Sequence, residues 1–421
     1  MKNSLLAACL AELVTTHGVP GAQFAVHHGG ATWTWNHGLT RVGTGTPMTT
    51  EVPVPVGSIT KVVTSAAAMV LVDDGDLELD EPLAELIPEL REPRLTLRHV
   101  LSHTGGLPCD PADTRAVTPR RHVLDCCRTL RPLTGPGEVF SYSNIGYLLA
   151  GHAVTAVTGM SWWEAVTTLV LDPLGVPSRF IAGGDIPTGL VSGHSARRRP
   201  VVQSLRVPEA AAGAFAASAL DLVTLGRGLL ATGFRDMWTP VPGAEPFGLA
   251  DGWGLGLATY RSGDTAGHDG NGDGTSCHLR LNPATGTVVA LTTNSSSGFA
   301  LWRDLAPRLA RLGLPIEDYD PLAVAGPPVA TRDEHTGDYA NGDLEYSVRH
   351  NRNGGLRLTV DGAPFADLTV HSGHEFTMRD CDTGVTDQAG RFVLDRDGRV
   401  AGLQVGGRLA RKLAGRERLV G

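Results

Sequence analysis

The spacing of apolar residues predicts helices in the middle of the first three quarters of the chain and strands at both of its ends. Residues 22–28 and 31–35 alternate across Gly29-Gly30, which indicates a β-hairpin. Helical spacing over five apolar positions predicts a first helix that ends at Gly18, with the positions Leu6, Cys9, Leu10, Leu13 and Val14. Further helices are predicted near 58–72, 145–157, 162–171 and 219–230, and strands near 254–260, 275–281 and 288–293. Strands from such distant segments predict a single sheet.

The composition changes near residues 321–332, where Pro, Ala and Val accumulate as in a linker. Short alternating runs follow, such as 356–360 and 403–405, and Gly, Asn and Asp turns separate them. The sequence therefore predicts a first domain over 1–320 and a small all-β, barrel-like domain over 333–421.

Charge and composition exclude some classes of binding partner. The net charge of −8 without a basic cluster argues against nucleic acid, and no apolar run is long enough to span a membrane. The apolar stretch before Cys9 is too short for an export signal, so we expect a cytoplasmic protein that starts at this helix. The six cysteines show no C-x-x-C spacing, which suits a reducing compartment and predicts no zinc site.

Lysine is scarce in this arginine-rich chain, and Lys2, Lys61 and Lys412 are the only three. Ser58 precedes Lys61 by three residues, a spacing that puts both side chains on one face of a helix. A serine needs a base to become a nucleophile, and a lysine desolvated among apolar residues can serve as that base. The simpler alternative is that Ser58 caps the helix and Lys61 is solvated.

Two other segments have residues suited to the same chemistry. Tyr142 and Asn144 lie between a turn and a helix start, where a phenol could relay a proton and an amide could hold a carbonyl. His268 precedes a glycine-rich strand start and could supply a hydrogen-bond donor beside a bound acyl group. Taken singly, these residues could equally be a core tyrosine, a helix cap and a loop histidine.

Taken in order, S-x-x-K, Y-x-N and H-x-G resemble the serine β-lactamase and penicillin-binding-protein superfamily. The class C-like branch, which includes esterases, D-peptidases and acyltransferases, is the most similar. Four further stretches support it: residues 56–61, 101–107, 172–175 and 253–257. The resemblance implies an α+β fold, with an antiparallel sheet flanked by helices and a mostly helical subdomain. The C-terminal unit resembles the lipocalin-like domain of some members.

The resemblance also implies roles for residues. Ser58 would be the acylated nucleophile, Lys61 and Tyr142 would share the proton transfers, and Asn144 would position the substrate. The backbone N–H groups of Ser58 and Asn271, beside Gly270, would form the oxyanion hole. His268 stands where many relatives have the lysine of K-T-G, which favours an esterase or acyltransferase over a β-lactamase.

Several other sites are not expected. The segment from Asp269 resembles an EF-hand loop but has Arg280 at its twelfth position, where calcium requires Glu. His99 and His103 have metal-ligand spacing without a third ligand, so we expect His103 to be a structural residue in a turn. We find no G-x-S-x-G elbow and no P-loop, and we expect neither cofactor nor metal.

The sequence thus predicts an acyl-serine enzyme that cleaves an ester, thioester or amide and transfers the acyl group to an amine or water. An expected cytoplasmic location favours an acyltransferase or peptide-cyclising thioesterase of natural-product biosynthesis, acting on a small-molecule or peptidyl donor, with a carrier protein as a possible partner. A hydrolytic esterase or D-amino-acid amidase or peptidase is the alternative. A non-catalytic penicillin-binding-like sensor is the alternative from another class.

Overall fold

The computed structural model of the chain describes residues 2–111, 118–181, 191–261, 263–323, 326–352 and 354–414. Residues 324–325 of the predicted linker and 415–421 of the predicted C-terminal domain lie outside the described residues. The fold is α+β: an antiparallel sheet flanked by helices is followed by a closed barrel, as the sequence predicted.

One antiparallel sheet forms the centre of the first part. Its seven strands, together with those of two shorter pairs, β3-β6 and β4-β5, are β1 (Gly21–His28), β2 (Ala31–Gly38), β3 (Val54–Pro55), β4 (Gly193–His194), β5 (Pro200–Val201), β6 (Ala216–Ala217), β7 (Gly252–Trp253), β8 (Ala258–Tyr260), β9 (Thr265–Gly272), β10 (Thr275–Asn282) and β11 (Thr287–Thr293). The seven-stranded order is β2-β1-β11-β10-β9-β8-β7, so the N-terminal hairpin pairs with the last strand, β11. The predicted single sheet from distant segments is confirmed.

Helices cover both faces of this sheet. They are α1 (Lys2–Thr16), α2 (Thr60–Asp73), α3 (Leu97–Leu101), α4 (Pro119–Thr129), α5 (Asn144–Thr158), α6 (Trp162–Val166), α7 (Ala210–Gly213), α8 (Ala219–Thr232) and α9 (Gly298–Arg311). Helices α1 and α9 bury leucines against one face, while α8 packs on the other face and joins the core of α2 and α5. None of the helices in the described ranges has the length and apolar composition that a membrane crossing needs.

Two predicted elements differ in detail. The single strand expected over 254–260 is a short hairpin, β7 and β8, because Gly254 packs against the Met237 carbonyl and Gly256 has a φ of +113°. His268 lies inside strand β9 instead of before a strand. The glycines around His268 made this segment look like a turn, whereas the strand uses them to approach its neighbours closely.

The second part is a closed antiparallel barrel, which confirms the predicted all-β unit. Its strands are β12 (Gly337–Asn341), β13 (Leu344–His350), β14 (Leu356–Val360), β15 (Ala363–Val370), β16 (Glu375–Asp380), β17 (Thr386–Leu394), β18 (Val400–Val405) and β19 (Arg408–Lys412). Strand β19 pairs with β12 to close it. Inward side chains such as Tyr339, Phe376 and Phe392 fill the interior.

A buried ion cluster joins β9, β10 and the segment that leaves α9. The Arg280 guanidinium is 2.7 Å from Asp269 Oδ1 and 2.8 Å from Asp318 Oδ1, and it lies 4.2 Å from the centre of the Tyr260 ring. His278 Nδ1 is 2.8 Å from the same Asp269 oxygen. Burial raises the pKa of the Asp269 carboxyl, but Arg280 and His278 outweigh it and hold that pKa well below its usual range. The carboxylate that resembled a calcium ligand is thus already paired.

This cluster should be a major determinant of stability. Replacing Arg280 by Met leaves two carboxylates, which are only 23% and 20% exposed, without this partner, so we expect the free energy of unfolding to fall by about 3 kcal/mol in urea titrations. Arg98→Met is the matched control, because Arg98 pairs with Asp80 at the surface through two contacts of 2.7 and 2.8 Å. That change should lower stability by only about 0–1 kcal/mol. Equal losses in the two variants would contradict the assignment.

Candidate active site

Two glycines bring Ser58 against the edge of β9. Ser58 lies in a 3₁₀ turn, Gly57–Ile59, directly before α2. Gly57 has a φ of +53°, and a Cβ there would collide with the Asn271 backbone, as a Cβ at Gly270 would collide with the Val56 carbonyl. Only glycine therefore allows this approach. It places Ser58 beside Asn271, the two residues predicted to form the oxyanion hole.

The Lys61 amine lies next to the Ser58 hydroxyl. Lys61 is 0% exposed, and its Nζ is 3.0 Å from Ser58 Oγ and 3.0 Å from the Ala212 carbonyl oxygen in α7. Burial lowers the pKa of Lys61 to about 7. A large fraction of this amine is therefore neutral near pH 7, which is the state that can take a proton from a serine hydroxyl. The solvated surface lysine considered as the alternative is wrong.

Tyr142 packs over the same amine. Its ring centre is 5.1 Å from Lys61 Nζ, and its ring stacks on His103 at 4.3 Å. Burial raises the pKa of the Tyr142 phenol well above its usual value, while the Ser58 hydroxyl and the charge on Arg408 lower it. The net direction is upward, so the phenol keeps its proton at neutral pH. The phenol can therefore relay a proton only in a concerted step, in which it donates its own proton to the leaving group while it accepts one from Lys61 or Ser58.

The start of α5 contains Asn144, the asparagine of the predicted Y-x-N motif. The Ser143 backbone N–H donates to His103 Nδ1 at 3.0 Å, which confirms His103 as a structural hydrogen-bonding residue in a turn. Asn144 begins the helix, and its Nδ2 donates to Asp110 Oδ1 at 2.5 Å. This contact fixes the amide orientation, so that the Asn144 side chain lies in the cavity wall beside Ser58.

His268 offers a hydrogen-bond acceptor, whereas the sequence suggested a donor. Its Nδ1 is 2.6 Å from the Asp269 carbonyl oxygen, and because a carbonyl can only accept, Nδ1 has the proton. Burial, together with the charge of Lys61, lowers the pKa of His268 to about 3. The ring is therefore neutral with a lone pair on Nε2, and no described residue hydrogen-bonds this buried atom. An acceptor of this kind can receive a hydrogen bond from the N–H or O–H of a nucleophile.

The barrel contributes a residue that sequence reasoning missed. Arg408, the first residue of β19, lies with its guanidinium 5.6 Å from the centre of the Tyr142 ring and its Nε 2.9 Å from Cys109 Sγ. The turn before it also holds Tyr142, whose backbone N–H donates to the Gly407 carbonyl at 2.9 Å. In a chain this rich in arginine, no local pattern distinguishes Arg408 from the others, because its role depends on contact between distant segments.

These residues surround a cavity of about 530 Å³. Of the residues predicted to form the site, Ser58, Asn144 and Asn271 line it, while Lys61, Tyr142 and His268 are buried next to it. Three carboxylates also line the cavity: Asp110, Asp273 and Glu209, the last of which is paired with Arg206 at 3.6 Å. Acidic side chains at the wall favour a positively charged or amine-bearing group over an anionic one.

One glutamate and two histidines near the barrel are close enough to hold a metal ion, but one histidine has its proton on the nitrogen that would bind the metal. Ligand atoms of Glu334, His335 and His374 lie within 4.8 Å of one another. However, His335 Nδ1 accepts the Arg332 backbone N–H at 3.3 Å, so His335 Nε2 has the proton and presents no lone pair. These residues do not suit a metal ion in this arrangement.

Comparison with known proteins agrees with this geometry. The family model described as Beta-lactamase matches residues 6–313. Penicillin-binding protein 4 of Amycolatopsis lactamdurans is 31% identical over 339 residues, which cover 72% of this chain and 89% of that protein. The unguisins hydrolase ungD' of Aspergillus campestris is 24% identical over 327 residues, 67% of this chain and 60% of its own length.

A solved structure resembles the whole chain. The crystal structure of SurE is 39% identical and superposes with a TM-score of 0.86 over 98% of this chain and 99% of its own. A second structure of that protein, with D-Leu, has a TM-score of 0.84 at the same identity and coverage. The likeness therefore includes the barrel as well as the part that the family model matches.

The pKa of Lys61 predicts how the acylation rate depends on pH. The rate should rise with pH as Lys61 loses its proton near pH 7, and should be about a hundredfold lower at pH 5 than at pH 8. Rapid-quench mass spectrometry of the acyl-enzyme formed from 4-nitrophenyl acetate would measure this rate. Lys412→Arg, which alters a lysine in β19, should leave the pH profile unchanged. A rate independent of pH between 5 and 8 would refute the assignment of Lys61 as the base.

The contact of Arg408 with Tyr142 predicts that the barrel takes part in acylation. Arg408→Ala removes the charge that lowers the pKa of the phenol and frees the ring to move, so we expect acylation to slow by about 10- to 100-fold. Arg411→Ala is the control, since Arg411 lies on the same strand with its side chain exposed. If both variants acylate at the rate of the unmodified protein, Arg408 has no part in the site.

Proposed function

Because the chain belongs to the beta-lactamase family, we propose that it is an acyl-serine enzyme that passes its acyl group preferentially to an amine. The observation that supports this most directly is the 3.0 Å contact between Ser58 Oγ and a Lys61 amine with a pKa of about 7. A sensor that only binds ligand would not need a lysine kept largely neutral beside its serine.

The proposed first step is acylation of Ser58. Neutral Lys61 takes the Ser58 proton as Oγ attacks the carbonyl carbon of the donor, and the oxyanion faces the backbone N–H groups of Ser58 and Asn271. Lys61 then returns the proton through the Tyr142 phenol to the leaving group, whose bond to the carbonyl carbon breaks. The products are the Ser58 ester and the protonated leaving group, and Lys61 is neutral again.

The second step transfers the acyl group. An amine attacks the Ser58 ester, donates a hydrogen bond to His268 Nε2, and loses its proton to Lys61, which reprotonates Ser58 as the ester bond breaks. Water could follow the same route. One feature favours the amine: the carboxylates of Asp110 and Asp273 in the cavity wall, whereas the acceptor at His268 suits an amine and water equally. We therefore propose transfer ahead of the hydrolytic alternative.

The names of similar proteins suggest a donor class. The unguisins hydrolase is named for its action on unguisins, and SurE has been crystallised with D-Leu. We propose a peptidyl ester or thioester, free or attached to a carrier protein, and D-aminoacyl ends are the first to test. A peptide whose own amine attacks the ester would be released as a ring, and this would make the enzyme a peptide-cyclising thioesterase.

Mass spectrometry of the acyl-enzyme tests both steps. A panel of 4-nitrophenyl esters and peptidyl thioesters should add one acyl group to the protein at Ser58, and Ser58→Ala should abolish the addition while leaving thermal unfolding unchanged. Labelling that survives in Ser58→Ala would overturn the assignment of the nucleophile.

The fate of the acyl group separates transfer from hydrolysis. With D- and L-amino acid amides added, we expect amide product to exceed hydrolysis product for at least one amine, because the cavity wall is acidic. Exclusive hydrolysis with every amine would instead identify a hydrolytic esterase or amidase. An acyl-enzyme that never turns over would support the sensor alternative.

A further inference from the structure

A second cavity, of about 590 Å³, lies next to the active site among helices α4, α5 and α6 and the start of α7. Leu148 lines both this cavity and the one that contains Ser58, and their other lining residues differ. Leu148, Gly151, His152 and Thr155 recur at helical spacing, so one face of α5 forms a wall of the second cavity. A cavity of this volume can hold a drug-sized molecule.

Two adjacent indoles form another wall of the second cavity. Gly159, with a φ of +69°, ends α5, and the chain turns there to begin α6 at Trp162. The rings of Trp162 and Trp163 are 5.0 Å apart and nearly perpendicular, and Trp163 packs in the same way against Phe180 at 5.2 Å. Trp162 Nε1 also donates to Thr64 Oγ1 in α2 at 3.1 Å. These contacts fix the indoles, so the apolar wall is formed before any ligand binds.

The charges around the second cavity do not favour an ion. Among its lining residues, Glu89 and Arg120 have opposite charges, and both are exposed at its rim. Burial lowers the pKa of the His152 imidazole, and the charge of Arg120 lowers it further while Glu89 opposes this. The His152 ring is therefore neutral at neutral pH. An ion in this cavity would lose hydration without gaining an unbalanced opposite charge, so we expect an uncharged ligand.

The His152 imidazole can hydrogen-bond a molecule in this cavity. Thr155 Oγ1 donates to the His152 carbonyl at 2.8 Å, and Ser161 Oγ donates to Glu164 Oε2 at 2.8 Å, so both hydroxyls are already paired. The ring nitrogens of His152 have no partner in the described part of the chain, and they retain accessible surface. A hydroxyl group can donate to the unprotonated nitrogen or accept from the protonated one, so it suits whichever nitrogen faces it.

We propose that the second cavity is a binding site for an uncharged, mainly apolar small molecule with a hydroxyl group, such as a phenol. The indoles pack against its apolar body, and His152 hydrogen-bonds its hydroxyl. Ala210 and Ala211 line this site, and the next residue of α7, Ala212, has the carbonyl that contacts Lys61. The inference goes beyond the proposed function and does not depend on it, because the ligand occupies a different cavity.

Equilibrium dialysis with three bicyclic aromatic compounds tests the class of ligand. We expect 2-naphthol to bind about three- to tenfold more tightly than naphthalene, because it adds one hydrogen bond. The carboxylate 2-naphthoate should bind at least about tenfold more weakly than 2-naphthol, because it must lose its hydration. His152→Leu should remove the preference for 2-naphthol over naphthalene. Absence of 2-naphthol binding, equal binding of 2-naphthoate, or an unchanged preference in His152→Leu would overturn the proposal.

Filling the second cavity tests where 2-naphthol binds. Ala156 is an exposed residue of α5 that lines the second cavity but not the one that contains Ser58. Ala156→Trp should weaken 2-naphthol binding by about tenfold or more, because the new side chain occupies the space of the ligand. Ala363→Trp is the matched control at an exposed position in β15, and it should leave the affinity unchanged.

Binding of 2-naphthol at the active site instead would leave its affinity unchanged in Ala156→Trp and refute the proposal. Thermal unfolding of each variant shows whether it is folded, and the exposed position of Ala156 predicts an unchanged midpoint. If Ala156→Trp unfolds at a lower temperature, Thr155→Trp fills the same cavity from the neighbouring position and should weaken 2-naphthol binding to the same extent. Full affinity in a folded Thr155→Trp variant would contradict the proposal in the same way.

Discussion

The Lys61 amine is buried by residues from several elements of the first part of the chain, and the proposed chemistry depends on this burial. Its nitrogen contacts Ser58 Oγ and the Ala212 carbonyl, and the rings of Tyr142 and Tyr147 lie 5.1 and 5.6 Å away. Each neighbour comes from a different element, so the helical core and α7 must pack together before the amine loses its water. The lowered pKa of Lys61 therefore depends on how these elements pack. At neutral pH it leaves a neutral amine beside the Ser58 hydroxyl, which can act as its base.

The barrel belongs to the same arrangement because it holds the segment that contains Tyr142. Gln404 Nε2 donates to the Phe140 carbonyl at 3.1 Å, and the Gly407 carbonyl accepts the Tyr142 N–H. Arg408 then places a positive charge beside the phenol. These two contacts hold the backbone at Phe140 and at Tyr142, and they bring the positive charge of Arg408 next to the Tyr142 ring.

Local sequence patterns predicted the elements and the nucleophile, but not the contacts between distant segments. The S-x-x-K spacing needs only one helical turn, and the hairpin at Gly29-Gly30 needs only two neighbouring strands, so both could be predicted from nearby residues. The glycines near His268 misled because a glycine-rich strand and a turn have the same composition. The position of Arg408 could not be predicted, since it depends on contact with Tyr142, which is far away in the sequence.

The different pKa values of Lys61 and His268 imply different roles in the transfer step. With its pKa near 3, His268 cannot hold a second proton at neutral pH, and its one proton, on Nδ1, is directed at the Asp269 carbonyl. It can orient an amine by accepting a hydrogen bond, but it cannot act as the final proton acceptor. Lys61, with a pKa of about 7, can both take a proton and return it. The proposed function therefore needs only one base, Lys61, for both steps, and it leaves His268 the role of accepting a hydrogen bond from the nucleophile.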